Sequence, residues 1–365
     1  MSGNNPNAWL GLLKWSLAYT DGTSDTSPSP MDPEKKAFLE KVMKEGIIDE
    51  GERMTTILKE ASGILEDWTV AQKAVTPEQE EHVQVLLEEL RGIVEQIDYA
   101  RMFAAVSGLP FLLGMIEEQE SIPRSVRMLA LGILSTMAAN NPPVQQQLLE
   151  VGSIRILTQV FFDAAEDYPL QARIVQAISA NIRSHEVAES VFCQLEQSVT
   201  FVEQAVGFQN GNGNISTVLL QRSVFFLRAL LTSDTSTPER VRQFQTALCW
   251  TTDLLLLPSD NDNNNSNNAE LDPNVCEMIL ELLIEVLRQK LSVNAILSRK
   301  ESLVGRGVER VTKIRKLSGE DREYASIELD LWENLIALLA RAEPDRDRGP
   351  STLHNDPEDT NLAAQ

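Results

Sequence analysis

Apolar residues return at every third or fourth position along most of this chain, and two-residue alternation is scarce. That spacing predicts amphipathic helices rather than strands. Four long stripes stand out. The first carries Val126, Leu129, Ala130, Ile133, Leu134 and Met137. The second carries Leu170, Ile174, Ala177, Ile178 and Ile182, the third Leu220, Val224, Leu227 and Leu231, and the fourth Val275, Ile279, Leu282, Leu283 and Val286. Aligned on Ser135, Ser179 and Arg228, the first three lie 44 and then 49 positions apart. Helical repeats of the armadillo and HEAT kinds have periods of roughly 40–47 residues.

Each long stripe is followed by a turn, a short helix, a break and another apolar helix. Asn140-Asn141-Pro142-Pro143 is such a turn, followed by Val144 to Val151, Gly152, and Ser153 to Phe162. Tyr99 to Ser107, Gly108, and Leu109 to Ile116 repeat the arrangement, with Gly108 and Gly152 44 positions apart. Glycine suits a sharp bend there, because it accepts positive φ and close packing. Three-helix units of this size bury their apolar faces only by stacking. The predicted fold is therefore all-α: an armadillo-like helical solenoid with helical caps and a concave face. The caps are placed at Ala37 to Trp68 with Glu80 to Gln96, and at Glu323 to Ala340 around a buried Trp332.

The flanks read differently. Trp9, Leu12, Leu13 and Leu17 fall at helical spacing within Asn7 to Tyr19, and a Ser/Thr/Asp/Pro-rich linker follows. Residues 1–31 are thus an amphipathic helix plus a flexible linker, and 32–342 the repeat domain. Asp32-Pro33-Glu34 reads as its first helix start, and Thr76 with Gln79 as a capping box. The Asn/Asp-rich run at 259–269 is expected to be a disordered insert, and 343–365 an unstructured tail.

Charge narrows the partners. Lys and Arg number 32 against 54 Asp and Glu, for a formal net charge of −22, which argues against nucleic acid. No basic run precedes the N-terminal apolar residues, and no stretch reaches the ~18 apolar residues that span a bilayer. The expectation is a cytoplasmic monomer with no membrane segment. Cys193, Cys249 and Cys276 are far apart and read as small hydrophobes in a reducing compartment. His82, His185 and His354 are scattered, with no metal-ligand spacing. No phosphate-binding glycine loop or nucleophile motif is present either, so no cofactor, metal or catalytic set is expected. Arg299, Lys300, Arg306, Arg310, Lys313, Arg315 and Lys316 form one basic stretch, read as a charged outer helix face, as a contact for an acidic partner or as a nuclear localisation element. An exposed Trp/Leu helix needs a receiver, either the chain's own solenoid or a partner's groove.

Several segments then resemble one family in order. Leu12-Leu13-Lys14-Trp15-Ser16-Leu17-Ala18 looks like the N-terminal signature of the Fes-type nucleotide exchange factors, the family of the heat-shock protein 70 binding proteins. Val94-Glu95-Gln96-Ile97-Asp98-Tyr99-Ala100 is similar to its segment entering the first repeat, and Gly108-Leu109-Pro110-Phe111-Leu112-Leu113 to the helix that follows. Ala139-Asn140-Asn141-Pro142-Pro143-Val144-Gln145 resembles its repeat turn, and Ala177 to His185 its Ile-Arg-x-His helix. The resemblance covers roughly residues 10–235.

The resemblance implies an armadillo solenoid whose concave face grips the nucleotide-binding domain of heat-shock protein 70, so that ADP leaves and client is released. Leu13, Trp15 and Leu17 would belong to the segment that frees client. Ala100 matches a small interface residue, with Asp98 beside it, and Arg222 matches an interface arginine. By the alignment of repeats the groove is lined by Gly132 and Thr136, Gln176, Ala180 and Arg183, and Phe225, Ala229 and Thr232. Each of these is also readable as a helix-surface or inter-repeat packing residue. The alternative function is a non-catalytic armadillo scaffold or cargo adaptor. The ladder of groove Trp and Asn expected of a peptide-binding armadillo groove is missing at these positions.

Overall fold

The computed structural model describes residues 49–207, 216–257 and 271–343. The segment with Leu13, Trp15 and Leu17, the Asp32 helix start, the 259–269 insert and the tail beyond 343 lie outside the described residues. Among those described, every regular element is a helix.

Two helices open the stack, α1 (Glu50–Thr69) and α2 (Pro77–Val94). Asp49 caps α1 by accepting from the Gly51 and Glu52 amides at 3.0 and 3.1 Å. Thr76 and Gln79 form the expected capping box at the start of α2. Three-helix units follow: α3 (Ile97–Ala105), α4 (Gly108–Glu117) and α5 (Arg124–Ala138), then α6 (Pro142–Glu150), α7 (Ser153–Asp163) and α8 (Tyr168–Ile182). The next are α9 (Glu186–Gln194), α10 (Ser198–Ala205) and α11 (Thr217–Thr232), then α12 (Pro238–Gln243), α13 (Gln245–Leu254) and α14 (Pro273–Gln289). The chain closes with α15 (Asn294–Leu297), α16 (Lys300–Arg315), α17 (Glu320–Tyr324) and α18 (Ser326–Arg341). Proline stands in the first turn of α6, α8, α12 and α14, preceded in the last three by the capping side chains of Asp167, Thr237 and Asp272.

The long helices α2, α5, α8, α11, α14 and α18 form a ladder, each packed on the next. Their apolar stripes are buried: Val126, Ile133 and Leu134 in α5, Ile174 and Ile178 in α8, Val224 and Leu227 in α11, Ile279 and Leu283 in α14. Phe161, Phe192, Phe201, Phe226 and Phe244 pack tilted, edge to face or stacked between the second, third and fourth units. Buried Trp332 seals the last rung, as the sequence predicts.

Polar side chains close the helix ends, where backbone carbonyls lack partners. Arg127 Nε donates to the Ile116 carbonyl at 3.1 Å, and Gln171 Nε2 to the Phe161 carbonyl at 3.3 Å, so equivalent positions in two units tie off equivalent helices. Gln289 Nε2 does the same for Thr232 at 2.8 Å, across from α14 to α11.

The two glycine bends differ. Gly152 has φ +73°, the left-handed conformation expected of it. At the other bend the left-handed residue is Ser107, at φ +67°, with α3 and α4 meeting at 79°. Gly108 is needed for space instead: an added Cβ would stand 2.2 Å from the Phe103 ring. The basic stretch is a paired helix face in large part. Arg299 Nη2 bonds Asp253 at 2.8 Å, Arg306 pairs with Glu309 at 3.2 Å, and Arg315 with Glu333 at 2.8 Å. The three cysteines are free and only half-buried, less enclosed than their apolar settings predict.

Candidate functional site

The ladder leaves one row of side chains partly open on α5, α8 and α11. Each member falls three or four residues after the last, which keeps it on one helix face. On α5 the row holds Gly132 and Thr136. Gly132 is buried, yet an added Cβ there meets nothing within 4 Å, so the space in front of it is free. Thr136 is half-buried and donates its hydroxyl to the Gly132 carbonyl at 3.0 Å.

On α8 the row runs Arg173, Gln176, Ala180 and Arg183. Gln176 accepts from Arg173 Nη1 at 3.4 Å. Arg183 lies over the ring of Phe225 on α11, with its guanidinium carbon 5.2 Å from the ring centre. Phe225 is 41% exposed, and Arg222 one turn before it is exposed too. Arg183 and Phe225 are in contact, and Gly132, Thr136, Gln176 and Arg222 stand on the three successive ladder helices α5, α8 and α11.

Two candidates fall elsewhere. Asp98 and Ala100 are on α3, a short helix outside the ladder. Asp98 is fully solvated, 97% exposed and loosely paired with Arg101 at 3.7 Å. Ala100 is 1% exposed, in the core beside Phe103. The expectation of Ala100 as a contact residue is thus corrected: its side chain is used up in packing α3 against its neighbours.

Sequence reasoning missed one charged member of the row, Arg173. Arg173 and Arg222 are 49 positions apart, the same offset as Gln176 and Phe225, so extending the row by one turn would have found Arg173. Burial, and then the charges of Arg222 and of Arg91 at the end of α2, hold Arg173 below the usual guanidinium pKa. On α14 the row turns acidic, with half-buried Glu277, Glu281 and Glu285. Burial, and then the carboxylates of Glu328 and Glu281, raise Glu277 above the usual carboxylate range. Arg228 of α11 and Glu281 of α14 pair where the two halves meet. Among the described residues no group of His, Cys, Asp and Glu could hold a metal ion, and no single helix is long and apolar enough to cross a membrane.

The fold defines an all-α armadillo-type solenoid with a protein-sized, mixed polar and apolar face. Among solved structures it superposes on a designed armadillo repeat protein with TM-score 0.51 at 14% identity, covering 76% of this chain and 98% of that one. An engineered protein of known structure gives 0.54 at 13% identity, covering 77% and 99%. No family model matches the chain. Sequence relatives narrow the class. The chain is 26% identical over 200 residues to Hsp70-binding protein 1 of Mus musculus, covering 53% of this chain and 55% of that one. To the Homo sapiens protein of that name it is 27% identical over 194 residues, covering 52% and 53%. It is 24% identical over 186 residues to Hsp70 nucleotide exchange factor FES1 of Gibberella zeae, covering 50% and 79%. These names bear out the resemblance to the Fes-type and heat-shock protein 70 binding protein family. The match spans about half the length of the mammalian relatives.

Proposed function

We propose that this chain is a co-chaperone that binds the nucleotide-binding domain of heat-shock protein 70, exchanges its ADP and so promotes client release. The observation that carries this reading is the sequence likeness to Hsp70-binding protein 1 and Hsp70 nucleotide exchange factor FES1. A ladder face of small, polar and aromatic residues suits a folded partner better than a small molecule.

Exchange of this kind needs no catalytic side chain. A factor that binds the open, nucleotide-poor form of its partner more tightly than the closed form lowers ADP affinity by the same ratio. A tenfold preference corresponds to about 1.4 kcal/mol of coupling. The reading places the protein in the cytoplasm as a monomer. The test is release of a fluorescent ADP analogue from purified heat-shock protein 70. Addition of the full chain should accelerate it several-fold, and unchanged release at saturating chain would remove the reading.

A further inference from the structure

We infer that the open face docks its partner in one polarity, with an acidic patch of the partner domain against Arg91, Arg173 and Arg222 and a basic patch against Glu277, Glu281 and Glu285. This rests on the function proposed above and adds to it the chemistry of the contact.

Pairing is the first support. In a chain of net charge −22, arginines find carboxylates readily. Arg53 pairs with Glu89, Arg124 with Asp167, Arg240 with Glu189 and Arg310 with Glu328. Arg91, Arg173 and Arg222 have no ion pair among the described residues. The one hydrogen bond shown for Arg173 goes to the neutral amide of Gln176. The charges acting on Arg173 are those of the other two arginines.

Placement is the second. The three stand on α2, α8 and α11, in a single ladder. The rung between α2 and α8 is α5, where Gly132 leaves free space. Like charges gathered without counter-charge weaken the fold through self-repulsion. A carboxylate-bearing surface entering the face removes that cost. On α14 the sign is reversed: Glu277, Glu281 and Glu285 stand on successive turns, Glu277 without an ion pair among the described residues, Glu281 paired with Arg228 and Glu285 loosely paired with Arg288 at 3.8 Å. The Arg228–Glu281 pair neutralises the boundary between the halves. A partner turned end for end would meet like charge at both halves. Such complementarity sets orientation and association rate more than affinity, and salt screens it.

The experiment uses the full chain with two probes, fluorescent hexaglutamate and the nucleotide-binding domain of heat-shock protein 70. At low salt the wild type should capture hexaglutamate despite its own negative charge. The triple variant Arg91→Gln, Arg173→Gln, Arg222→Gln should lose at least tenfold of that affinity. Its association rate with the domain should fall about tenfold at low salt, and the gap should close near 0.5 M salt. Arg155→Gln, on an exposed position of α7, should change neither, and an unshifted melting curve shows that the triple variant is folded. Equal capture of hexaglutamate by wild type and triple variant, or capture by neither, overturns the polarity. Loss of hexaglutamate by the triple variant supports it. If the wild type then fails to bind the chaperone domain, the exchange-factor reading falls and the acid-accepting patch stands.

Discussion

The side-chain amide of Gln145 donates to the backbone carbonyl of Arg183 at 3.0 Å, and to that of Ala180 at 2.8 Å. A short helix of one unit thereby ties off the C-terminus of α8, from which Arg183 turns over Phe225. Gln145 is 1% exposed, so its loss leaves two carbonyls without a donor. Gln145→Leu should cost about 2 kcal/mol of stability, read from urea unfolding. A change under a few tenths would show that the bonds are replaceable.

Three glycines should respond differently to alanine. Gly108→Ala drives a Cβ into fully buried Phe103 and should cost about 2 kcal/mol. Gly152→Ala forces φ +73° on an alanine and should cost about 1 kcal/mol. Gly132→Ala enters free space in a helix and should stabilise by about 0.5–1 kcal/mol. Thermal unfolding of the three variants checks both signs at once.

Glu328 is the hub of the last rungs. It accepts from Arg310 at 2.6 and 2.9 Å and from Trp332 Nε1 at 3.2 Å, and is 3% exposed. Glu328→Ala leaves the Arg310 charge without this partner in a nearly closed site and should cost about 3 kcal/mol. Glu333→Gln, at an exposed pair with Arg315, should cost less than about 0.5 kcal/mol. Amide exchange should show the first loss confined to α14, α16 and α18.

Two groups give stability a pH dependence of opposite sense. The hydrogen bond from Arg124 holds Asp167 below its ordinary value of 3.8, so its contribution is complete above that value and fades as pH falls below it. Asp167→Asn keeps an acceptor for the Leu170 amide and should flatten the acid limb of the stability curve. Burial, then Glu328, pushes the Cys276 thiol up to about 12, so its contribution is complete below the ordinary thiol value of 9.0 and fades as pH rises towards 12. Cys276→Ala should flatten that alkaline limb.

Ala100→Arg separates packing from docking. With the alanine 1% exposed, the guanidinium has to displace core side chains, and the melting temperature should drop by several degrees. An unshifted melting curve with lost chaperone binding would return Ala100 to the interface.

The repeat period and the long helices were legible because a buried stripe must recur at helical spacing whatever packs on it. The Asn-Asn-Pro turn and the Thr76 capping box were legible for a similar reason, since their bonds are local. Ala100 was misplaced because a small residue on a helix looks alike whether it faces a core or a partner, and only neighbouring elements decide. Arg173 was passed over because an arginine among 32 basic residues says nothing until its lack of carboxylates is seen in space. Gly108 looked like a bend residue, whereas the tight constraint is a ring five positions earlier.

Because the long helices pack on one another only in succession, α2 to α5 to α8 to α11 to α14 to α18, the molecule is built like a leaf spring. A small slip at every seam adds up to a large change in the gap between its ends, with no seam giving way. On the function proposed above, gripping a folded domain would load the whole stack elastically.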